Sequence, residues 1–304
     1  MMRISTGMIY DQGVAALNQR QSDINHTNLQ IATGRRILSP ADDPVAAARV
    51  LDVRQSESVN KQFMTNQGAA EDSLRLVEGQ LNGAVDILQY VRDRALEANN
   101  ASLGPGELKM IATDVRAQFD ALMAVANSRD AQGDYLFSGY KSNVRPFDGS
   151  PDAATGATYS GDQGSRTMQV SSARYMPISF AGDQIFPSGG GANDVFRALS
   201  ELVTALETNT NISATVASTV DAVDASHDNV LRVIAQTGSQ RMELGQLQEI
   251  GLDLDLQYAT TRSRLEDLDY NEASSRLQFQ NLALQAAQQS FVRVTGLSLF
   301  NYIN

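Results

Sequence analysis

Gln240-Arg241-Met242-Glu243-Leu244-Gly245-Gln246-Leu247 opens the stretch that decides the fold, which continues without a proline to Val292. From Leu244, alternate steps of three and four meet Leu247, Gly251, Leu254, Tyr258, Thr261, Leu265, Leu268, Glu272, Ser275, Phe279, Leu282, Ala286 and Gln289. Nine of those fourteen positions are apolar, so one stripe of a helix stays turned toward a partner, as in a coiled coil. An unbroken helix here would be a rod of roughly 80 Å. Such a rod cannot cover its own stripe, so an antiparallel or intermolecular partner has to.

The rest of the chain supplies that partner. Residues 8–32 predict a first helix with Tyr10, Val14, Leu17, Ile24 and Ile31 on a stripe, interrupted at two seam positions by Gln21 and Asn28. Two amides in the seam leave little burial to hold a helix of this length, so it is expected to be mobile until a partner arrives. Thr33-Gly34 is a stop, with glycine for the left-handed cap. Asp43-Pro44 is a start: a capping carboxylate, then proline at the first helical position.

A second long helix runs from Pro44 to about Ala101, with Val53, Phe63, Leu74, Leu76, Val77, Leu81, Val85, Leu88, Val91 and Leu96 as core positions. After the turn Leu103-Gly104-Pro105-Gly106, a third helix from Glu107 to about Asp130 folds back antiparallel. Its inner face is Leu108, Ile111, Val115, Phe119, Leu122, Met123 and Val125.

At Gly133 the pattern changes. Residues 134–190 hold four of the seven prolines, and 135–137, 167–170 and 175–180 read as strands of a small insert ended by Gly189-Gly190-Gly191. Helix returns at Asp194, with Phe196, Leu199, Leu202, Val203 and Leu206 inward. Ser213 can cap a last helix that continues through Thr237-Gly238-Ser239 into the opening stretch. The expected fold is mainly α: an elongated antiparallel helical rod or coiled coil formed by both chain ends, with a small β-rich insert in the middle. The termini should meet at one tip and the insert should lie at the other.

Composition narrows the function. The formal net charge of −11 makes phosphate backbones and anionic lipid poor partners. Cysteine is absent, which removes disulfides and thiolate metal sites. No stretch approaches the ~20 apolar residues of a membrane span, and the first residues hold no secretory apolar run. The expectation is a soluble protein that, if extracellular, left without a cleaved leader.

Charge is unevenly placed. Arg3, Arg20, Asp11 and Asp23 cancel over residues 1–34, and Arg276 and Arg293 alone give +2 over 274–304. Removing that +2 from −11 leaves −13 on residues 35–273. Two readings fit: an ordinary polar helix surface, or ends that stack closely on identical copies, where like charges would repel.

Catalytic patterns are missing. His26 and His227 lie on helix faces with no second histidine at metal-ligand spacing. The triple glycine lacks the Gly-Lys-Ser/Thr of a phosphate loop, Asp253 and Asp255 point to different sides of a helix, and no Gly-x-Ser-x-Gly elbow occurs. Neither an enzyme nor a cofactor is expected.

Several motifs carry a resemblance. Arg3-Ile4-Ser5-Thr6, Ala32-Thr33-Gly34-Arg35-Arg36, Ser39-Pro40-Ala41-Asp42-Asp43-Pro44, Gly133-Asp134-Tyr135-Leu136-Phe137-Ser138-Gly139-Tyr140 and Gly296-Leu297-Ser298-Leu299-Phe300 are similar to the flagellin superfamily. Within it the chain most resembles the hook–filament junction family, hook-associated protein 3. Asp42-Asp43-Pro44, where flagellins usually continue with alanine, and the closing Leu-Ser-Leu-Phe favour that branch.

The resemblance implies a structural subunit of the bacterial flagellum, outside the cell, exported unfolded through the flagellar export apparatus with a dedicated chaperone. It would form a homo-oligomeric ring between hook-associated protein 1 and flagellin. Residues 1–33 and 272–304 would be the inner-tube assembly domain, 34–43 and 265–271 the spokes, 44–133 and 191–264 the rod, and 134–190 the insert. The assembly interface would comprise Tyr10, Leu17, Ile24, Ile31, Phe279, Leu282, Phe291, Leu297, Leu299 and Phe300. The spokes would use Arg35, Arg36, Asp42, Asp43, Asp267 and Asp269, with the arginines clamping the connector or bridging neighbours. The alternatives are a filament flagellin and, more remotely, a helical ligand-binding or sensor module.

Overall fold

The computed structural model describes residues 6–303, and side chains over 7–295 apart from Ile9. Its elements in chain order are helices α1 (Thr6–Thr33), α2 (Pro44–Ala98) and α3 (Pro105–Ala126), then strands β1 (Phe147–Gly149), β2 (Ala157–Tyr159), β3 (Thr167–Ser171) and β4 (Arg174–Pro177). Helices α4 (Gly182–Ile185), α5 (Val195–Thr208), α6 (Ile212–Glu266) and α7 (Tyr270–Ile303) follow. A mainly helical chain with a small β insert is what the periodicity predicted. Two compact units form, one of residues 60–252 and one of residues 1–59 with 253–304.

In the 60–252 unit the core is continuous. Leu74, Val77, Leu81, Ala84, Leu88, Val91 and Ala95 of α2 are fully buried at alternate steps of three and four. Antiparallel pairing with α6 follows from Arg241 against Glu71 and Glu78, Arg92 Nε donating to Asp224 at 2.8 Å, and Ser213 hydrogen-bonded to Asn99. Arg94 of α2 lies 3.8 Å from Asp114 of α3, and Arg116 of α3 makes a two-nitrogen pair with Glu207 of α5. Phe119, Phe147, Phe186 and Phe196 close the far part of this core, their ring centroids 5.4–6.2 Å apart pair by pair.

Asp194 caps α5 by accepting from the Arg197 amide at 3.0 Å, and also takes the amides of Gly189 and Gly190 at 3.1 and 3.0 Å. The triple glycine is therefore tied to the helix it precedes.

The insert differs from the sequence expectation in detail. It holds two separate antiparallel hairpins, β1–β2 and β3–β4. Tyr135-Leu136-Phe137 is not a strand. Its flanks make single bridges, Arg129 with Tyr135 and Ser138 with Ala181, while Leu136 and Phe137 fill the core. The 175–180 run stops as strand at Pro177, which has no N–H to extend the ladder. Beta-bulge geometry between Gln169 and Ser171 leaves the carbonyls of Gln169 and Val170 to the side-chain amides of Asn66 and Gln67, at 2.7 and 2.8 Å.

Three further expectations change. Leu96 points outward and is exposed, while Ala95 and Ala98 hold the seam. Ser213 lies inside the first turn of α6 and bonds Asn99, since Asn211, in the left-handed region at φ 52°, already turns the chain. Most consequential, the opening stretch is not one rod: α6 ends at Glu266 and α7 begins at Tyr270.

In the unit of 1–59 with 253–304, α1 and α7 run antiparallel. Tyr10 stacks on Phe291 with ring centroids 5.3 Å apart, and Gly34 at the other end lies against the Tyr270 hydroxyl. Beside them the start of α2 pairs with the end of α6 through Arg54 with Glu266 and Arg262 with Glu57, the latter at 3.5 Å.

Candidate assembly surface and connector

The connector begins where α1 must stop. Gly34 takes φ 68°, a conformation that costs a side chain but not glycine. The chain then lies beside the break after α6, with Arg35 and Asp267 forming an antiparallel bridge. Leu268 N–H donates to the Gly34 carbonyl at 3.0 Å, and Arg36 N–H donates to the Glu266 carbonyl at 2.7 Å.

Arg36 is the residue around which both segments are tied. Its guanidinium donates to the Leu265 carbonyl at 3.0 Å and to Asp43 Oδ2 at 3.2 Å, while its own carbonyl accepts from Gln30 Nε2 at 2.6 Å. Arg35, by contrast, has no ion pair among the described residues and joins through its backbone.

The two aspartates do different local work. Asp42 Oδ2 accepts from the amides of Leu38 and Ser39 at 2.8 and 2.9 Å, closing the Ser39-Pro40-Ala41 turn. Its other oxygen lies 3.1 Å from His26 Nε2 on α1. The Ser39 amide, with Leu38 and His26 alongside, holds this carboxyl below the ordinary range. Asp43 Oδ1 caps α2 by accepting from the Ala46 amide at 2.9 Å. That hydrogen bond, with Arg36 beside it, holds Asp43 low as well.

On the C-terminal side Asp269 caps α7, accepting from the amides of Asn271 and Glu272 at 2.9 and 3.2 Å. Asp267 takes the Ser263 hydroxyl.

The remaining site residues lie on α1 and α7. Ile24 is buried, Leu17, Ile31 and Phe291 are half-buried, and Tyr10 is half-exposed despite its contact with Phe291. Phe279 and Leu282 face outward, 72% and 63% exposed. Leu297, Leu299 and Phe300 fall outside the described side chains.

Gln21 and Asn28, expected in the α1 seam, are exposed; Thr27 and Gln30 are the buried polar residues there. Two contacts escaped the sequence reading. Gly13 lets the Phe291 ring sit against α1 so closely that a Cβ would lie 2.5 Å from it, and a glycine inside a helical pattern was the available signal. His26 reaches Asp42 across sixteen residues, a spacing that carries no periodic signature.

This arrangement offers hydrogen-bonded backbone, helix caps and outward apolar side chains. Among the described residues no group of three histidines or carboxylates could hold a metal, and no helix is long and apolar enough to cross a membrane.

Comparison with known proteins gives the pattern a name. The bacterial flagellin N-terminal helical region matches residues 4–142. Flagellar hook-associated protein 3 of Salmonella typhimurium is 34% identical over 98% of this chain and 99% of its own length. The chain belongs to the flagellar hook-associated protein 3 family.

Solved structures agree on the fold. A flagellar hook-associated protein of Vibrio parahaemolyticus superposes with a TM-score of 0.69 at 22% identity, covering 74% of this chain and all of its own. The flagellar junction protein of Legionella pneumophila does so with a TM-score of 0.58 at 18% identity, covering 72% of this chain. Flagellin of Aquifex aeolicus, by comparison, is 25% identical over 65% of this chain and only 35% of its own length. Full-length agreement with hook-associated protein 3 against partial agreement with flagellin separates the two branches. As a member of that family the chain is a component of the flagellum.

Proposed function

We propose that the chain joins the flagellar hook to the flagellin filament by building a ring of identical subunits. The observation that carries this is the outward face of α7, where Phe279, Leu282 and Val292 stand exposed on a helix pair with almost no charge. Covering such side chains contributes ~25 cal/mol per Å² of apolar area, and a charge-poor surface lets identical copies approach without repulsion.

In this reading residues 1–33 and 272–304 are the assembly domain. Tyr10, Leu17, Ile31, Phe279, Leu282 and Phe291 keep apolar area to be covered on assembly. Ile24, expected in the same interface, is already buried within the chain. Leu297, Leu299 and Phe300 are assigned to the interface from the sequence alone. Segments 34–43 and 265–271 are spokes held by Arg36, Asp42, Asp43 and Asp269. Segments 44–133 and 191–264 form the rod, and the 134–190 insert meets solvent. Hook-associated protein 1 is the neighbour on one side and flagellin on the other. The subunit reaches the cell exterior through the flagellar export apparatus, escorted by a chaperone. Its work is mechanical, so no reaction is assigned.

Deleting the gene tests this. Cells should keep their hooks and shed flagellin monomers into the medium. Filaments of normal length on such cells would refute the junction role, and long filaments formed by the purified chain alone would make it a filament flagellin.

A further inference from the structure

Asp267, Leu268 and Asp269 interrupt a helix where the local sequence offers a capping aspartate but no helix breaker. Neither proline nor glycine occurs from Leu252 to Phe291, and the alternation of three and four passes through the break without a gap. What holds the interruption is the other connector. In an uninterrupted helix the Leu268 N–H would go to the Arg264 carbonyl, and the Leu265 and Glu266 carbonyls would receive the N–H groups of Asp269 and Tyr270. Here Leu268 N–H is taken by Gly34 at 3.0 Å. The Leu265 carbonyl is occupied by the Arg36 guanidinium at 3.0 Å, and that of Glu266 by the Arg36 N–H at 2.7 Å. Segment 34–36 therefore competes for the same groups that would carry the helix onward, and the Asp269 cap on α7 favours the interrupted form.

Helical phase gives a second, independent observation. Beyond the break α7 turns Ala273, Leu277, Ala283 and Phe291 inward, and leaves Phe279 and Leu282 outside. In an uninterrupted helix those two side chains would share one stripe with Leu254, Tyr258, Leu265 and Leu268, which α6 and the break keep at least half-buried. The sequence thus encodes two faces on α7, one for each phase.

We propose that residues 267–269 are a two-state hinge governed by segment 34–36. With Gly34 and Arg36 engaged, the helix is broken and α7 pairs with α1. With them withdrawn, α6 and α7 join into one helix, and Phe279 and Leu282 rotate onto the α6 stripe. The N-terminal connector then sets the shape of the C-terminal one, whether or not the terminal helices assemble as proposed above.

The test is NMR of the full-length protein, reading 13Cα shifts and amide exchange at Asp267 to Tyr270. Wild type is compared with Arg36→Ala, with Asp269→Ala and with the double variant. The hinge predicts helical shifts at 267–269 and exchange of the Asp269 and Tyr270 amides slowed by at least ~10-fold, most strongly in the double variant. A clasp that merely loosens would instead give coil shifts and faster exchange at these residues, and that result overturns the proposal. Should Arg36→Ala fail to fold, judged by the amides of 60–252, Asp269→Ala alone decides. A move toward helical shifts supports the hinge, and unchanged or coil shifts overturn it.

Discussion

Helix α2 has two different interiors. From Ala70 to Ala98 its seam is Leu74, Val77, Leu81, Ala84, Leu88, Val91 and Ala95, all fully buried. From Ala46 to Gln67 the same helix buries Glu57, Asn60 and Gln67 at its seam, and leaves Phe63 and Met64 only half-covered. The α1–α7 pair is covered less still: Phe279, Leu282 and Val292 face out, 72%, 63% and 67% exposed. Leaving large apolar side chains in solvent forgoes the stabilisation that their burial would give. The contrast is between a seam of fully buried apolar side chains and a terminal helix pair that leaves apolar side chains in solvent, as completion by a neighbouring molecule, proposed above, requires.

The sharpest way to break this contrast is a pair of phenylalanine truncations read by urea melts. Phe196→Ala, which removes a buried ring from a cluster of four, should cost about 3–5 kcal/mol. Phe279→Ala should change the isolated chain by less than about 0.5 kcal/mol, because its ring is already in solvent. Equal costs would erase the distinction. A smaller effect within the 60–252 unit is expected from Asp194→Ala, which loses the α5 cap and should cost about 1–2 kcal/mol in the same melt.

Gly13→Val sharpens the other half. The added side chain meets the Phe291 ring, so it should raise amide exchange along α1 and α7 while the melting midpoint of 60–252 stays unchanged. The smallest effect expected concerns pH. Both Asp42 and Asp43 are held below their ordinary carboxyl range in the folded chain. Their hydrogen bonds therefore stabilise the connector fully above the unfolded carboxyl pKa, and that contribution disappears as pH falls through the lower folded values. Amide exchange at Leu38, Ser39 and Ala46 should accelerate below about pH 4 relative to the amides of α3. Acceleration on raising the pH from that range toward neutrality, after correction for intrinsic rates, would give the opposite sign.

Much of the fold was legible because helices announce themselves by period. The stop at Gly34, the start at Asp43-Pro44, the return of helix at Asp194 and the antiparallel return of α3 all rest on local chemistry that one sequence contains. Periodicity alone reads through the break at 267–269, and only the resemblance implied a spoke over 265–271, since the hydrogen bonds that hold the break come from residues some 230 positions away. Short strands were misplaced for a similar reason: Leu136 and Phe137 have strand composition, but tertiary packing uses them as core filling. For the site, residue types pointed to Arg36, Asp42 and Asp43, while the roles of His26, Gln30 and Gly13 depend on distances no spacing encodes.

Hydrogen exchange on the free, full-length subunit separates loose chain ends from a complete core. Amides of 6–33 and 272–295 are expected to exchange at least ~100-fold faster than those of α3 and α5, because only the latter are held by a complete core. Protection of both chain ends equal to that of α3 and α5 would contradict this expectation.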